Sequence, residues 1–454
     1  MIKQMFKDKV FISTLLTIGV PVVVQNVISS SLNLLDVVMI GQLGERSISA
    51  VGLGNQLFFI FVLLLFGTNS GGAMFVAQFW GKRDLHSIHK TLGVALTISL
   101  IGAVVFSVLA IAFPSQVLGL FSKDVGVISL GASYMRIVGW SYLFTAVSFS
   151  FAISSRSVGD AKLPMVASVA SLITNSILNL VLIFGLLGFP ALGVVGAAIA
   201  TVIARLVEFS IIIGRIFTSD HPLRAKIRDY FDFGRVFAAK ILKKSFPVIL
   251  NEFFWSIGVS LYVAAYARSG TEAYAAVQIA QTVDRIFFVL AFGIGSSAAV
   301  MIGNLLGDNK REEAIKYSRY FNMLAVMSGI ALGGLLMLTG PLFVKLYNVS
   351  DLVRDNAVNI MYVIGFFMTL KICNALQIIG TLRGGGDTTY SLVMEISSVY
   401  LIGVPMAFLS TAVWGLPIYI CVALVSLEEV TKAVLGFYRL FSDKWANNII
   451  DDLA

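Results

Sequence analysis

Apolar residues run along this chain in long stretches without a single charge: Val10 to Leu35, Ser47 to Gly81, Thr91 to Ser122, Leu163 to Ala204, and Ile396 to Leu427. A bilayer core about 30 Å thick is crossed by roughly 20 apolar residues in helical form, so the longer stretches hold two spans, or one span and a loop. Barrel strands alternate polar and apolar positions, whereas these segments are apolar all round. Gly and Pro clusters with charges among them divide the chain into spans near 11–40, 51–79, 91–113, 127–153, 164–187 and 193–216, then 245–267, 275–306, 318–340, 357–381, 391–410 and 414–438. The pattern predicts an all-α integral membrane protein of about 12 transmembrane helices.

Composition agrees with that reading. Of 454 residues, 57% are hydrophobic and 13% charged, and the mean hydropathy is +0.89; soluble domains carry roughly 25% charged residues. The basic start MIKQMFKDKV feeds a long apolar run that ends without a small-residue cleavage pattern, so a retained first span is expected and not a removed signal peptide. The net charge of +8 reads as Lys and Arg on cytoplasmic loops and not as a nucleic-acid surface. Those residues gather at the N-terminus, after the even-numbered spans and at the C-terminus, which puts both termini in the cytoplasm of a plasma-membrane protein. The segment Arg215 to Lys244 holds eight of them. It is the expected cytoplasmic linker, residues 218–244, between lobes 1–217 and 245–454, with an amphipathic stretch suited to the anionic inner leaflet. Cys373 and Cys421 lie far apart in apolar segments and form neither a disulfide framework nor a metal motif.

The two lobes are related in sequence. A shift of 226 positions aligns Pro21 with Pro247, Gly44 with Gly270, Ala50-Val51 with Ala276-Val277, Gly67 with Gly293, Gly81 with Gly307, and Gly139 with Gly365. One more residue of shift pairs Arg156 with Arg383 and Gly159-Asp160 with Gly386-Asp387. An ordered series at a nearly constant offset is a duplication. Six spans per repeat make the lobes parallel and pseudo-symmetric, an arrangement that in transporters places the substrate site between halves near the midplane.

Ionisable residues inside spans are expensive and are functional candidates by default. Asn26, Ser29, Ser30, Asn33 and Asp36 recur at helical spacing on one face of the first span. Asp36 sits about 37 Å along the axis from Phe11, in the outer part of the bundle. Asn175 and Asn179 share a face of the fifth span, and Thr201 falls at similar depth on the sixth. One carboxylate, two amide carbonyls and a hydroxyl form a hard-oxygen set suited to a small cation such as Na⁺. Equally, a carboxylate among apolar helices is a proton carrier, and interhelical hydrogen bonding is the structural alternative for the amides and the hydroxyl.

The second lobe differs. Tyr262 stands where the first has Asp36, and Glu252 lies closer to the inner end, with Ser256 and Ser260 on its stripe. Asp284 and Arg285, adjacent on the eighth span, point in different directions and pair with other helices. Lys371 is the deepest cation and a partner for Glu252 or Glu395. Together with Asn33 these form a secondary cation or substrate site, with a structural ion-pair role as the alternative. Arg136, Arg205, Glu208, Glu428 and Glu429 fall near estimated span ends, where snorkelling accounts for them. Trp140, Phe144, Phe253, Phe254, Trp255 and Phe287 are candidates to line an organic-cation cavity, or face lipid. All three histidines fall in expected loops, and Gly384-Gly385-Gly386 lacks the context of a phosphate loop. The expectation is a transporter and not an enzyme, with no cofactor beyond a coupling ion and no feature that demands more than a monomer.

The runs PVVVQNVISSSLNLLDVVMIGQLG and VAQFWGKRD, the turn RSVGDAKLPM with its echo RGGGDTTY, and GVVGAAIAT together resemble the multidrug and toxic compound extrusion (MATE) family over nearly the whole chain. The resemblance implies a twelve-helix exporter with two six-helix lobes facing a central cavity, exchanging small organic cations or amphipathic drugs for H⁺ or Na⁺. Carried over by position, its first-lobe cation pocket is similar to Asp36, Asn175, Asn179 and Thr201, and its helix-seven acid to Glu252. Many prokaryotic members have Asp at the position of Asn179, so this chain has one carboxylate where they have two. The alternative of a lipid-linked precursor or polysaccharide flippase calls for a strongly basic cavity, for which this chain offers Arg285 and Lys371. A channel or intramembrane enzyme calls for a polar pore or a catalytic constellation that the sequence does not show.

Overall fold

The computed structural model describes residues 2–345, 347 and 349–453, with the side chains of Leu32, Asn33, Leu34 and Asp452 outside the description. The described residues form helices and no strands. The main helices are α1 (Lys9–Gly41), α2 (Glu45–Gly81), α3 (Leu85–Ala112), α4 (Val125–Val138 and Ser141–Ser157, bent by 52°), α5 (Lys162–Phe184) and α6 (Val194–Thr218). The second set is α7 (Arg235–Ala267), α8 (Thr271–Gly307), α9 (Arg311–Val344), α10 (Asp351–Leu382), α11 (Thr388–Val413) and α12 (Ile418–Val425 and Leu427–Phe441). Ten described helices are long and apolar enough to cross a membrane, and the bent α4 makes an eleventh. The last predicted span is the interrupted pair α12, so the count of twelve holds approximately.

Local chemistry sets the boundaries. Gly44 and Gly270, a repeat apart, take φ of 100° and 102° at the turns into α2 and α8, a conformation open to a residue without Cβ. Asp84 caps α3 by accepting from Ser87 N at 3.0 Å, and Asp124 caps α4 by accepting from Gly126 N at 2.8 Å. The second repeat carries π-helical stretches that the first lacks among the described residues: Leu376–Leu382 at the end of α10, and Val399–Gly403 and Leu409–Val413 in α11.

Contacts divide the chain into two compact units, one of residues 24–249 and one of residues 1–23 with 250–454. The divisions fall inside α1 and α7, each two residues past its proline, Pro21 and Pro247, and not in the segment 218–244. Close helix approach builds this exchange. In the first unit, a Cβ on Gly67 would lie 2.8 Å from Ile249 Cα, and one on Gly71 would lie 2.5 Å from Ser245 Cβ. In the second unit, a Cβ on Gly293 would meet Val23 Cγ2 at 2.4 Å, and one on Gly19 would meet Ser297 Oγ at 3.0 Å. Each contact maps onto its counterpart at the 226-residue offset. Small residues let helices approach where apolar lipid gives no drive to associate.

The linker buries two of its apolar groups against the first unit. Leu223 and Tyr230 are buried; the Tyr230 hydroxyl donates to Leu223 O at 2.5 Å, and its ring meets His89 and Phe151 edge-on. Ile227, Phe231 and Val236, by contrast, are 73%, 49% and 72% exposed, so the segment keeps part of its apolar surface uncovered. His89 Nε2 lies 3.0 Å from Pro222 O, and His221 Nε2 lies 3.5 Å from Asp160 Oδ2. The hydrogen bond from His221 holds the Asp160 carboxyl below the usual carboxylate range.

The glycine contacts carry a test. Gly71→Ser overpacks the α2–α7 crossing by about 1–3 kcal/mol, which is expected to lower the thermal midpoint of purified protein by roughly 2–8 °C. The double exchange G71S/S245G copies the arrangement of Ser297 and Gly19, and also removes a buried Ser245 hydroxyl that has no partner. It should recover most of that loss by differential scanning fluorimetry.

Candidate functional site

In the first unit the polar stripe of α1 meets α5 and α6. Asn175 and Asn179, four apart on α5, are 1% and 0% exposed, so their amides must find partners inside the bundle. Asn179 Nδ2 donates both to Asp36 Oδ1 and, at 2.9 Å, to Asn175 Oδ1. The outer atoms of this chain, Asn179 Oδ1 and Asn175 Nδ2, are buried without a hydrogen-bond partner. Thr201, whose hydroxyl donates to Ala197 O at 2.9 Å, shares with Asp36 the wall of a cavity of about 380 Å³. Asn55, Phe58, Tyr134 and Arg205 line the same cavity, and the Tyr134 hydroxyl donates to Asn55 Oδ1 at 3.1 Å. The structure thus links Asp36, Asn175 and Asn179 in one hydrogen-bonded chain and sets Thr201 beside it.

Sequence reasoning does not name Tyr134 and assigns Arg205 and Glu208 to snorkelling near a span end. The two charges on α6 pair with each other. Arg205 Nη1 donates to Glu208 Oε2 at 2.8 Å, with side chains 26% and 14% exposed. Ser168 donates to the other Glu208 oxygen at 3.3 Å and accepts from Gln25 Nε2 at 2.9 Å. Gln25 in turn accepts from the Arg156 guanidinium. Gln25, Ser168, Arg205 and Glu208 border a second cavity of about 240 Å³. The signal was present: Thr201, Arg205 and Glu208 are spaced by four and three, on one face of α6.

In the second unit, Arg383 donates to Glu252 at 2.5 Å, with side chains 4% and 13% exposed. Asn251 donates to Glu395 at 2.5 Å. The Asn251–Glu395 link occupies the repeat-related position of Gln25 with Ser168, whereas Arg383 reaches Glu252, the counterpart of Asn26, one residue beyond the counterpart of the Gln25 that Arg156 reaches. Lys371 pairs with neither Glu252 nor Glu395: it bonds Asp284 on α8 at 2.5 Å and stands over the Phe288 ring at 4.7 Å. Arg383 and Asn251 already meet the two glutamates, which removes the need for Lys371 there. Arg285 points away on the exposed side of α8. Tyr262 donates to Glu428, whose other oxygen accepts from Lys432 at 3.2 Å. Lys432 also lies 3.6 Å from Glu429, so the two α12 acids share one buried lysine.

The aromatic candidates scatter. Trp140 is 58% and Trp255 39% exposed, Phe254 packs edge-on between Phe253 and Tyr400, and Phe287 packs on Phe343. None of the four borders the two cavities of the first unit. The side chain of Asn33 lies outside the described residues.

Comparisons with known proteins bear on the family and the fold. The model of the MatE family matches twice, over residues 21–181 and 247–409, once in each repeat. The chain is 26% identical over 399 residues to the probable multidrug resistance protein YoeA of Bacillus subtilis, covering 86% of this chain and 84% of that protein. It is 23% identical over 439 residues to the probable multidrug resistance protein NorM of Thermotoga maritima, covering 96% and 93%. Among solved structures, a MATE protein in complex with MaL6 superposes with a TM-score of 0.86 at 21% identity, covering 95% of this chain and 96% of that one. A MOP superfamily transporter from Pyrococcus furiosus, described as having a binding pocket of reverse polarity, superposes with a TM-score of 0.85 at 21% identity and the same coverage. With one family match in each of two repeats, covering well over half of the sequence, this chain belongs to the MatE family, whose members are multi-pass membrane transporters and not enzymes.

Proposed function

We propose that the chain is a cation-coupled multidrug efflux antiporter of the plasma membrane, exchanging organic cations or amphipathic compounds for H⁺ or Na⁺ by alternating access. The carrying observation is the bond of Asn179 to Asp36 together with the unpartnered, buried Asn179 Oδ1. A buried acceptor without a donor costs about 1–3 kcal/mol, and a cation shared among the Asp36, Asn179 and Thr201 oxygens removes that cost. A proton on Asp36 does the same once the amide turns its oxygen toward the acid. Both ions therefore suit the same cluster, and the single carboxylate limits it to one charge at a time. The names of the relatives, as multidrug resistance proteins, support organic substrates and the outward direction. The basic residues at the N-terminus and in the linker support cytoplasmic termini.

In proteoliposomes, Asp36→Asn is expected to cut gradient-driven efflux at least about tenfold while leaving the protein monodisperse, a loss of about 1.4 kcal/mol or more in driving interaction. Full efflux by that variant would reject Asp36 as the coupling residue. The same assay under separate Na⁺ and H⁺ gradients identifies the ion. For topology, single cysteines are placed in a C373A/C421A background. A membrane-impermeant maleimide added to intact cells should label Leu187→Cys, in the exposed loop after α5, and spare Asp232→Cys in the linker; the reverse pattern would invert the orientation.

A further inference from the structure

We propose that Arg205 is a tethered competitor for the Asp36 site: its guanidinium alternates between Glu208, when the coupling cation is bound, and Asp36, when it has left. This rests on Asp36 being the coupling residue. Arg205 lines both first-unit cavities, one bordered by Asp36 and the other by Glu208, and Phe58 lines both as well. Its guanidinium carbon stands 5.8 Å from the Phe58 ring centroid, so an aromatic face lies along the route between the two acids. Asp36 is within electrostatic reach of Arg205 yet takes its hydrogen bond from the neutral Asn179 amide. The groups facing Asp36 are Asn179 from α5, Tyr134 from α4 and Arg205 from α6, with Glu208 one turn beyond.

Two further features fit a guanidinium that moves. Glu208 keeps other support when Arg205 leaves, because Ser168 donates to it and the Arg156 charge acts on it. The repeat-related cation of the second unit, Lys432, is by contrast 3% exposed and held between Glu428 and Glu429. One repeat locks its cation between two acids on its own helix. The other sets a longer, 26% exposed side chain between two cavities. The functional consequence is electrostatic: Arg205 stands in for the departed cation, so Asp36 is never left bare in the membrane during the return step. Competition also lowers the apparent cation affinity, because binding must displace the guanidinium.

The test is a double-mutant cycle on the full chain in proteoliposomes, with ethidium as the exported probe. The readouts are the Na⁺ concentration and the pH that give half-maximal exchange. R205Q removes the competitor. It is expected to lower the half-saturating Na⁺ about tenfold, or raise the pH of half-maximal exchange by about one unit, whichever ion drives export. E208Q frees Arg205 toward Asp36 and should shift the same quantity the opposite way. In the R205Q background, E208Q should add nothing, because Glu208 acts through Arg205. R205M takes the place of R205Q if the latter does not give monodisperse protein. Shifts in the same direction, no shift in either variant, or independent addition in the double variant would overturn the proposal. D36N run in parallel separates the two levels: retained coupling in D36N rejects the underlying reading, whereas lost coupling without the crossed shifts rejects only the role of Arg205.

Discussion

A polar group placed inside an apolar helix bundle must find its partner within the protein, since neither lipid nor a packed core supplies one. Every buried carboxylate described above obeys this constraint. Glu208 meets Arg205, Glu252 meets Arg383, Asp284 meets Lys371, and Glu428 meets Lys432 and Tyr262. Asp36 and Glu395 are met by amides instead, from Asn179 and Asn251. Of these two, Asp36 also borders a cavity of about 380 Å³. A carboxylate with a neutral partner and open space beside it keeps capacity for a charge from outside, and this sets it apart from the ion-paired acids.

The duplication explains why the networks resemble one another and where they part. Gln25 and Asn251 occupy equivalent places in their units, each tying the first helix of its repeat to the fifth. Arg156 and Arg383 reach the same region from equivalent turns. Beyond that shared frame the acids move. The first repeat keeps its acid on α1 and a hydroxyl, Thr201, on α6; the second keeps a phenol, Tyr262, on α7 and an acid, Glu428, on α12. Carboxylate and hydroxyl have changed places across the helix pair, so the same crossing is an open acid in one unit and a lysine-paired acid in the other.

The sequence made the helices, the repeat and the Asp36 cluster legible because each leaves a periodic trace. Apolar stretches mark spans, glycines at a constant offset mark duplication, and the spacing of Asn175 and Asn179 marks one face of α5. Ion-pair partners were not legible in the same way. Lys371 has several acids at comparable depth, and choosing Asp284 over Glu252 requires the rotation of α10 against α8, which sequence depth does not fix. Arg205 and Glu208 were misread for a related reason. Their distance along α6 suits an interface, but a long side chain on a tilted helix can turn inward, and the decision belongs to packing. The division of the chain inside α1 and α7 was hidden altogether, because close helix approach at Gly19, Gly67, Gly71 and Gly293 is a property of pairs of helices and not of a segment.

That division bears on how the protein is made. The unit of residues 24–249 includes the first part of α7, and the unit that begins with residues 1–23 ends with the last helix. A ribosome delivers the chain from its N-terminus, so the first six spans enter the bilayer before the segment that completes their unit exists. Residues 1–23 wait longer still, until α8 brings Gly293 and Ser297 to receive them. Neither unit can close as a separate translated domain. Insertion of spans and assembly of tertiary structure are thus separated in time: the polar groups of α1 from Gln25 onward find partners in the early bundle, whereas the part of α1 before residue 24 packs only when the second half arrives.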